Sequence, residues 1–250
     1  MLISQSPYKL SMEENIRWLL EPQPSLDARL FGQDNQLLVP VQQQLLNVAN
    51  ILINECVAPF PWFEVEDIVL CGSADSYHYT QYSDIDMKII LRRKKENNLF
   101  ANDSTAYRFM SKVVNAYYQK RAPFCVNKRL IDLRVAFYLR QRQLYSILRR
   151  QWIVEPSRTL MEGLNADEIV AEAQKILRQI KYMREEQFEH PNGKYQVEDL
   201  WQMQRFYNQL VAMKSTSVFN LLVNKLLNYG GHLHGMKNFC RREIVRVLSF

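Results

Sequence analysis

The stretch from Val69 to Leu91, VLCGSADSYHYTQYSDIDMKIIL, constrains this 250-residue chain more than any other. Ile68 to Cys71 is a short apolar run of the kind that forms a buried strand. It stops at Gly72-Ser73, where the missing Cβ lets backbone come close to a bound group. Asp84-Ile85-Asp86 then opens a second apolar run, Met87 to Leu91. Side chains alternate along a strand, so Asp84 and Asp86 share one face and Ile85 takes the other. Adjacent carboxylates repel each other. A cation between them removes the repulsion, and hard oxygen ligands suit Mg²⁺ or Mn²⁺. A third acid stands in the segment from Lys128 to Phe137. There Ile131, Leu133, Val135 and Phe137 fall on one face and Leu130, Asp132 and Arg134 on the other. Strands deplete Asp, so Asp132 needs a reason to be there. Gly-Ser alone and Asp-x-Asp alone are common; the weight lies in their conjunction with the third acid.

That conjunction resembles the nucleotidyltransferase superfamily of DNA polymerase β type. The Tyr77, Tyr79 and Tyr82 wording before Ser83-Asp84-Ile85-Asp86, and the segment from Tyr145 to Pro156, are similar to predicted nucleotidyltransferases frequent in tailed phages. The resemblance implies an α+β fold: a small mixed β-sheet with helices, the nucleotidyltransferase-type palm, followed by an all-α C-terminal domain. It implies that Asp84, Asp86 and Asp132 are catalytic and hold Mg²⁺ or Mn²⁺. It makes a nucleoside triphosphate, ATP first, the co-substrate. Gly72 and Ser73 would cradle its phosphates, with Ser83, Lys88 and Arg134 as further nucleotide-binding candidates. For Lys88 and Arg134, plain charge balance beside the acids is an equal reading. The implied reaction moves a nucleoside monophosphate to an acceptor hydroxyl and releases pyrophosphate. The loop from Ala74 to Ser83 departs from the family, many of whose members carry Arg-Gly or Gly-Thr there.

Hydrophobic residues make up 47% of the chain and charged residues 23%, an ordinary globular balance that affords a sizeable core. No apolar run reaches the roughly 18 residues of a membrane span, and the first residues lack the pattern of a secretory signal. Cys56, Cys71, Cys125 and Cys240 are widely spaced, which suits reduced thiols rather than a disulfide frame or zinc site. A cytoplasmic location follows as the expectation, the host cytoplasm for a phage-encoded chain.

Three regions are expected. Residues 1–33 form an N-terminal helical appendage, its helix opened by the capping box Ser11-Met-Glu-Glu14. Residues 34–153 form the catalytic domain, with a helix over 35–57 and another over 105–120. Residues 154–250 are helical, with a cap at Asn165, a turn at 191–193, helices near 197–213 and 216–228, and a basic last helix. His232 and His234 read as a surface loop between glycines rather than a metal pair.

Charge is uneven along the chain. Ten Lys and Arg stand between Lys112 and Arg150 against one acid, Asp132. Positive charge near a carboxylate cluster suits a triphosphate and suits a nucleic acid, so RNA is favoured as acceptor. A small molecule of the antibiotic type, a protein hydroxyl, or a non-catalytic nucleotide-binding module on the same fold are the alternatives.

Overall fold

Alternation along the two motif strands sets the sheet. In β2 (Ile85–Arg93), Ile85, Met87, Ile89 and Leu91 are buried on one face, and Asp86 and Lys88 point from the other. β4 (Arg129–Ala136) repeats the pattern, with Ile131, Leu133 and Val135 inward and Leu130, Asp132 and Arg134 outward. A computed structural model describes residues 11–80, 83–94, 99–118, 123–139, 143–187 and 195–248. Among these the fold is mixed α+β, and the expected turn at 191–193 lies outside them.

The six strands run in the order β3-β4-β2-β1-β5-β6. β1 (Phe63–Leu70) pairs antiparallel with β2, and β2 pairs parallel with β4 through the crossover helix α3 (Asp103–Tyr118). A parallel neighbour needs such a crossover. β3 (Cys125–Val126) folds back on the start of β4, and β5 (Leu144–Ser146) with β6 (Gln151–Val154) makes a hairpin on the far side of β1. A bulge between Val65 and Asp67 rephases β1, so Ile68 and Leu70 reach the core face while Val69 joins the opposite one.

One face of the sheet carries the main core. α2 (Val39–Leu52) contributes Val41, Leu45, Ala49 and Leu52, and α3 contributes Ala106, Met110 and Val114, against Leu70, Met87, Ile89 and Leu133. Burying each of the Val, Leu, Ile and Met side chains is worth about 1.5–3 kcal/mol. The helix expected over 35–57 begins later, at Val39, because Asn35 holds a positive φ and Leu38 stays extended as its cap; Pro40 sits in the first turn. Its end loosens into a π-turn over Ile53–Val57.

Contacts divide the chain into two units, residues 22–159 and residues 1–21 with 160–250. α1 (Met12–Leu20) opens on its capping box and buries Ile16 and Leu19 in a second core with α4 (Ala166–Tyr182) and α6 (Val218–Tyr229). The appendage expected over 1–33 is therefore split: its helix packs into the helical unit, and Leu26, Leu30 and Phe31 pack under the sheet. α5 (Val197–Met213) and α7 (His232–Leu248) complete that unit. His232 and His234 lie in the first turn of α7 rather than in a loop, and a ring nitrogen of His234 pairs with the Asn238 amide. Among the described residues no helix is long and apolar enough to cross a membrane.

Candidate functional site

The parallel pairing of β2 with β4 puts Asp86 directly opposite Asp132, and Lys88 opposite Arg134. Asp84, two residues before Asp86, shares their face. The three carboxylates each offer an oxygen within 4.8 Å of the others, the one such group of His, Cys, Asp or Glu among the described residues. Period two in each strand fixes the face, and the register between strands fixes the meeting.

Gly72 borders the cluster. Its φ is +118°, and a Cβ built there would sit 2.9 Å from the Asp86 Cγ. Any side chain at position 72 collides with the Asp86 carboxylate, so glycine is required by an observed neighbour. The Gly72 carbonyl accepts a hydrogen bond from the Gln143 amide. Ser73 turns the chain, its carbonyl accepting from the Ser76 amide (3.2 Å) and hydroxyl (2.9 Å).

Electrostatics follow from this crowding. Burial, then the charges of Asp84 and Asp132, push the Asp86 carboxyl up to about 7. Asp75, fully buried beside Asp86, is driven well above the usual carboxylate range, first by burial; Gln143 and Lys88 act against that. Cys71 is buried between these groups and its thiol is pushed up to about 12 by burial. Arg134 grips Asp132 with two hydrogen bonds, the Nε–Oδ1 one at 3.0 Å.

The residues singled out from the sequence separate into groups. Asp84, Asp86 and Asp132 converge, with Gly72, Lys88 and Arg134 around them. Ser83 is buried; its hydroxyl accepts from the Thr80 amide at 2.9 Å, and its carbonyl accepts from Arg129. It serves the loop that delivers Asp84.

Sequence reading missed Arg129. It is 2% exposed and donates to Asp27 and to the carbonyls of Thr80 (3.0 Å) and Ser83. It thereby ties the loop before Asp84 to β4. A signal existed: Arg129 shares the parity of Ile131 and Leu133, the buried face, where a cation demands a partner. Asp27 is that partner. Burial acts to raise its carboxyl, but Arg29 and Arg129 overcome this and hold it below the ordinary range. Asp75 and Gln143 gave no such signal.

An open cavity of about 520 Å³ lies against the cluster, between α3 and β4. Asp84, Asp132 and Arg134 are among its lining residues, with Tyr107, Ser111, Asn115 and Tyr118 contributed by α3.

No family model matches the sequence, and no curated protein matches it at a significant level.

Proposed function

We propose that this chain is a metal-dependent nucleotidyltransferase, moving a nucleoside monophosphate from an NTP, ATP first, to an acceptor hydroxyl with release of pyrophosphate. The observation that carries the reading is the in-register pairing of Asp86 with Asp132 beside Asp84, three carboxylates within 4.8 Å. The donor set fits a hard divalent cation. All its ligands are carboxylate oxygens, and the mutual repulsion that raises Asp86 is what such a cation would relieve. The sheet with its one-sided helix layer supports a nucleotidyltransferase-type palm, and the helices from α4 to α7 an all-α companion.

Asp84, Asp86 and Asp132 would hold Mg²⁺ or Mn²⁺, which when bound supplies Lewis-acid activation of the hydroxyl and charge neutralisation on the leaving pyrophosphate. Gly72 keeps the loop backbone against the carboxylates, where Ser73 meets the β- and γ-phosphates. Lys88 and Arg134, in register across the two strands, stand on the same face as the acids and balance phosphate charge. Asp132 would either hold the ion or take the acceptor hydroxyl's proton. Arg129 positions Asp84 through the Thr80 and Ser83 carbonyls.

One observation favours a second reading. Arg134 already neutralises Asp132, so the cluster could persist as a charge-balanced module that binds a nucleotide without chemistry. Incubation with each α-labelled NTP, Mg²⁺ or Mn²⁺, and RNA, protein and small-molecule fractions separates the two. The enzyme labels one fraction and an Asp84→Ala/Asp86→Ala variant labels none; the module binds NTP and labels nothing in either form.

A further inference from the structure

The cavity between α3 and β4 has a position, a size and a lining that together select an occupant. Its acids are Asp84 and Asp132; Gly72, Ser73, Asp86 and Lys88 are not among its lining residues. The strand order β4-β2-β1 therefore puts it on the opposite flank of the triad from the Gly72 loop. Phosphoryl transfer needs the attacking and leaving oxygens roughly in line, on opposite sides of phosphorus. With the donor's pyrophosphate at the Gly72 loop, the attacking hydroxyl arrives from the β4 side.

The helix side of the cavity is a stripe of α3. Tyr107, Ser111, Asn115 and Tyr118 recur at intervals of four, four and three, one face of a helix. The neighbouring stripe, Ala106, Met110 and Val114, is in the core. Val114, Pro123 and Leu130 add apolar wall. Among the described residues, the lining has no carboxylate other than the two triad acids, and Arg134 is its cation.

That lining rejects a polycationic acceptor such as an amino sugar, which needs acids to meet its ammonium groups. It suits a neutral heteroaromatic ring held by aromatic side chains and read by an amide. A volume of about 520 Å³ admits one nucleoside.

We infer that the α3–β4 cavity is the acceptor subsite, and that the acceptor is a nucleotide carrying a free sugar hydroxyl. The inference rests on the proposed nucleotidyl transfer. Free nucleotide and the 3′ end of a strand share this chemistry, and the test separates them.

The full chain, its Asn115→Ala variant and its Ser111→Trp variant are assayed with Mg²⁺ and α-labelled ATP. The acceptors are AMP and an oligoadenylate with a free 3′ hydroxyl. Metal-dependent ATP binding is measured separately, and circular dichroism reports folding. Ser111→Trp fills the cavity and is expected to raise the acceptor KM by roughly tenfold or more, and Asn115→Ala by a smaller factor, with ATP affinity held within about twofold. The effect in the oligoadenylate arm names a strand end; the effect in the AMP arm alone names a free nucleotide. A fall in ATP affinity instead, or no change in either quantity in a folded variant, overturns the assignment. So does transfer to neither acceptor by a native protein that binds ATP with metal. Loss of metal-dependent ATP binding in the native protein defeats the proposed function itself, a separate result.

Discussion

β4 carries two Arg–Asp pairs, and they differ in almost everything but chemistry. At its start Arg129 is buried, paired with a buried Asp27, and donates to two loop carbonyls. Five residues on, Arg134 has a side chain 64% exposed and grips Asp132 beside the acidic cluster and the open cavity. The odd number of steps between them puts them on opposite faces of the sheet. A buried pair is committed: removing either partner strands a charge where water cannot reach it. An exposed pair is cheap to exchange for another ligand. The same two residue types therefore make architecture at one end of the strand and an exposed, exchangeable pair beside an open cavity at the other.

The largest expected effect tests the open end. An Asp84→Ala/Asp86→Ala variant should keep its fold and lose transfer by about three orders of magnitude or more, since metal-held charge stabilisation is worth several kcal/mol. Labelling by the variant at a rate near the native one breaks the contrast.

The buried end comes next. Arg129→Ala should destabilise unit 22–159 by about 1–3 kcal/mol, read by urea denaturation, because the Thr80 and Ser83 carbonyls lose their buried donor while Asp27 keeps Arg29 as its partner. The Asp27 carboxyl is depressed, so its contribution is present above the ordinary carboxylate value and is lost as pH falls through the lowered one. An Asp27→Asn variant should therefore show a flatter loss of stability in acid, followed by thermal melts across pH.

The sign reverses for Asp86. Raised from 3.8 to about 7, it keeps a proton in the folded, metal-free protein that the unfolded chain has released. Metal-free stability falls as pH climbs through that window, and a metal ion must displace the proton. Mn²⁺ affinity should rise by up to about tenfold per pH unit below about 7 and level off above, measured by calorimetric titration.

The smallest effect sharpens the comparison. Arg134→Ala should shift stability by no more than about 1 kcal/mol, the range of an exposed ion pair. It should still weaken NTP binding. A loss as large as that of Arg129→Ala would make the two pairs alike.

The acidic cluster was legible because most of its determinants are local. Alternation assigned Asp84, Asp86 and Asp132 to outward faces, and glycine marked the close approach at position 72. Register between β2 and β4 was not in the sequence; the fold supplies it, setting Asp86 opposite Asp132. What escaped reading depends on distant partners. β5 and β6 are three and four residues long, too short for a period to declare itself, and they are strands because β1 offers an edge. Asp27 lies in an irregular segment 102 residues from Arg129. The cavity exists only once α3 has crossed to β4. In the second unit, the short loop expected at His232 became helix because Gly231, at a positive φ, ends the break sooner.

The most direct test of the central claim is Mn²⁺ binding followed by the loss of the free-ion electron paramagnetic signal at pH 7.5, for the native chain and for Asp86→Asn and Asp132→Asn. The account predicts saturable binding by the native protein, strengthened by ATP, and binding weakened at least about tenfold in each variant. Equal binding by all three proteins would contradict it and return Asp84, Asp86 and Asp132 to a charge cluster balanced by Lys88 and Arg134.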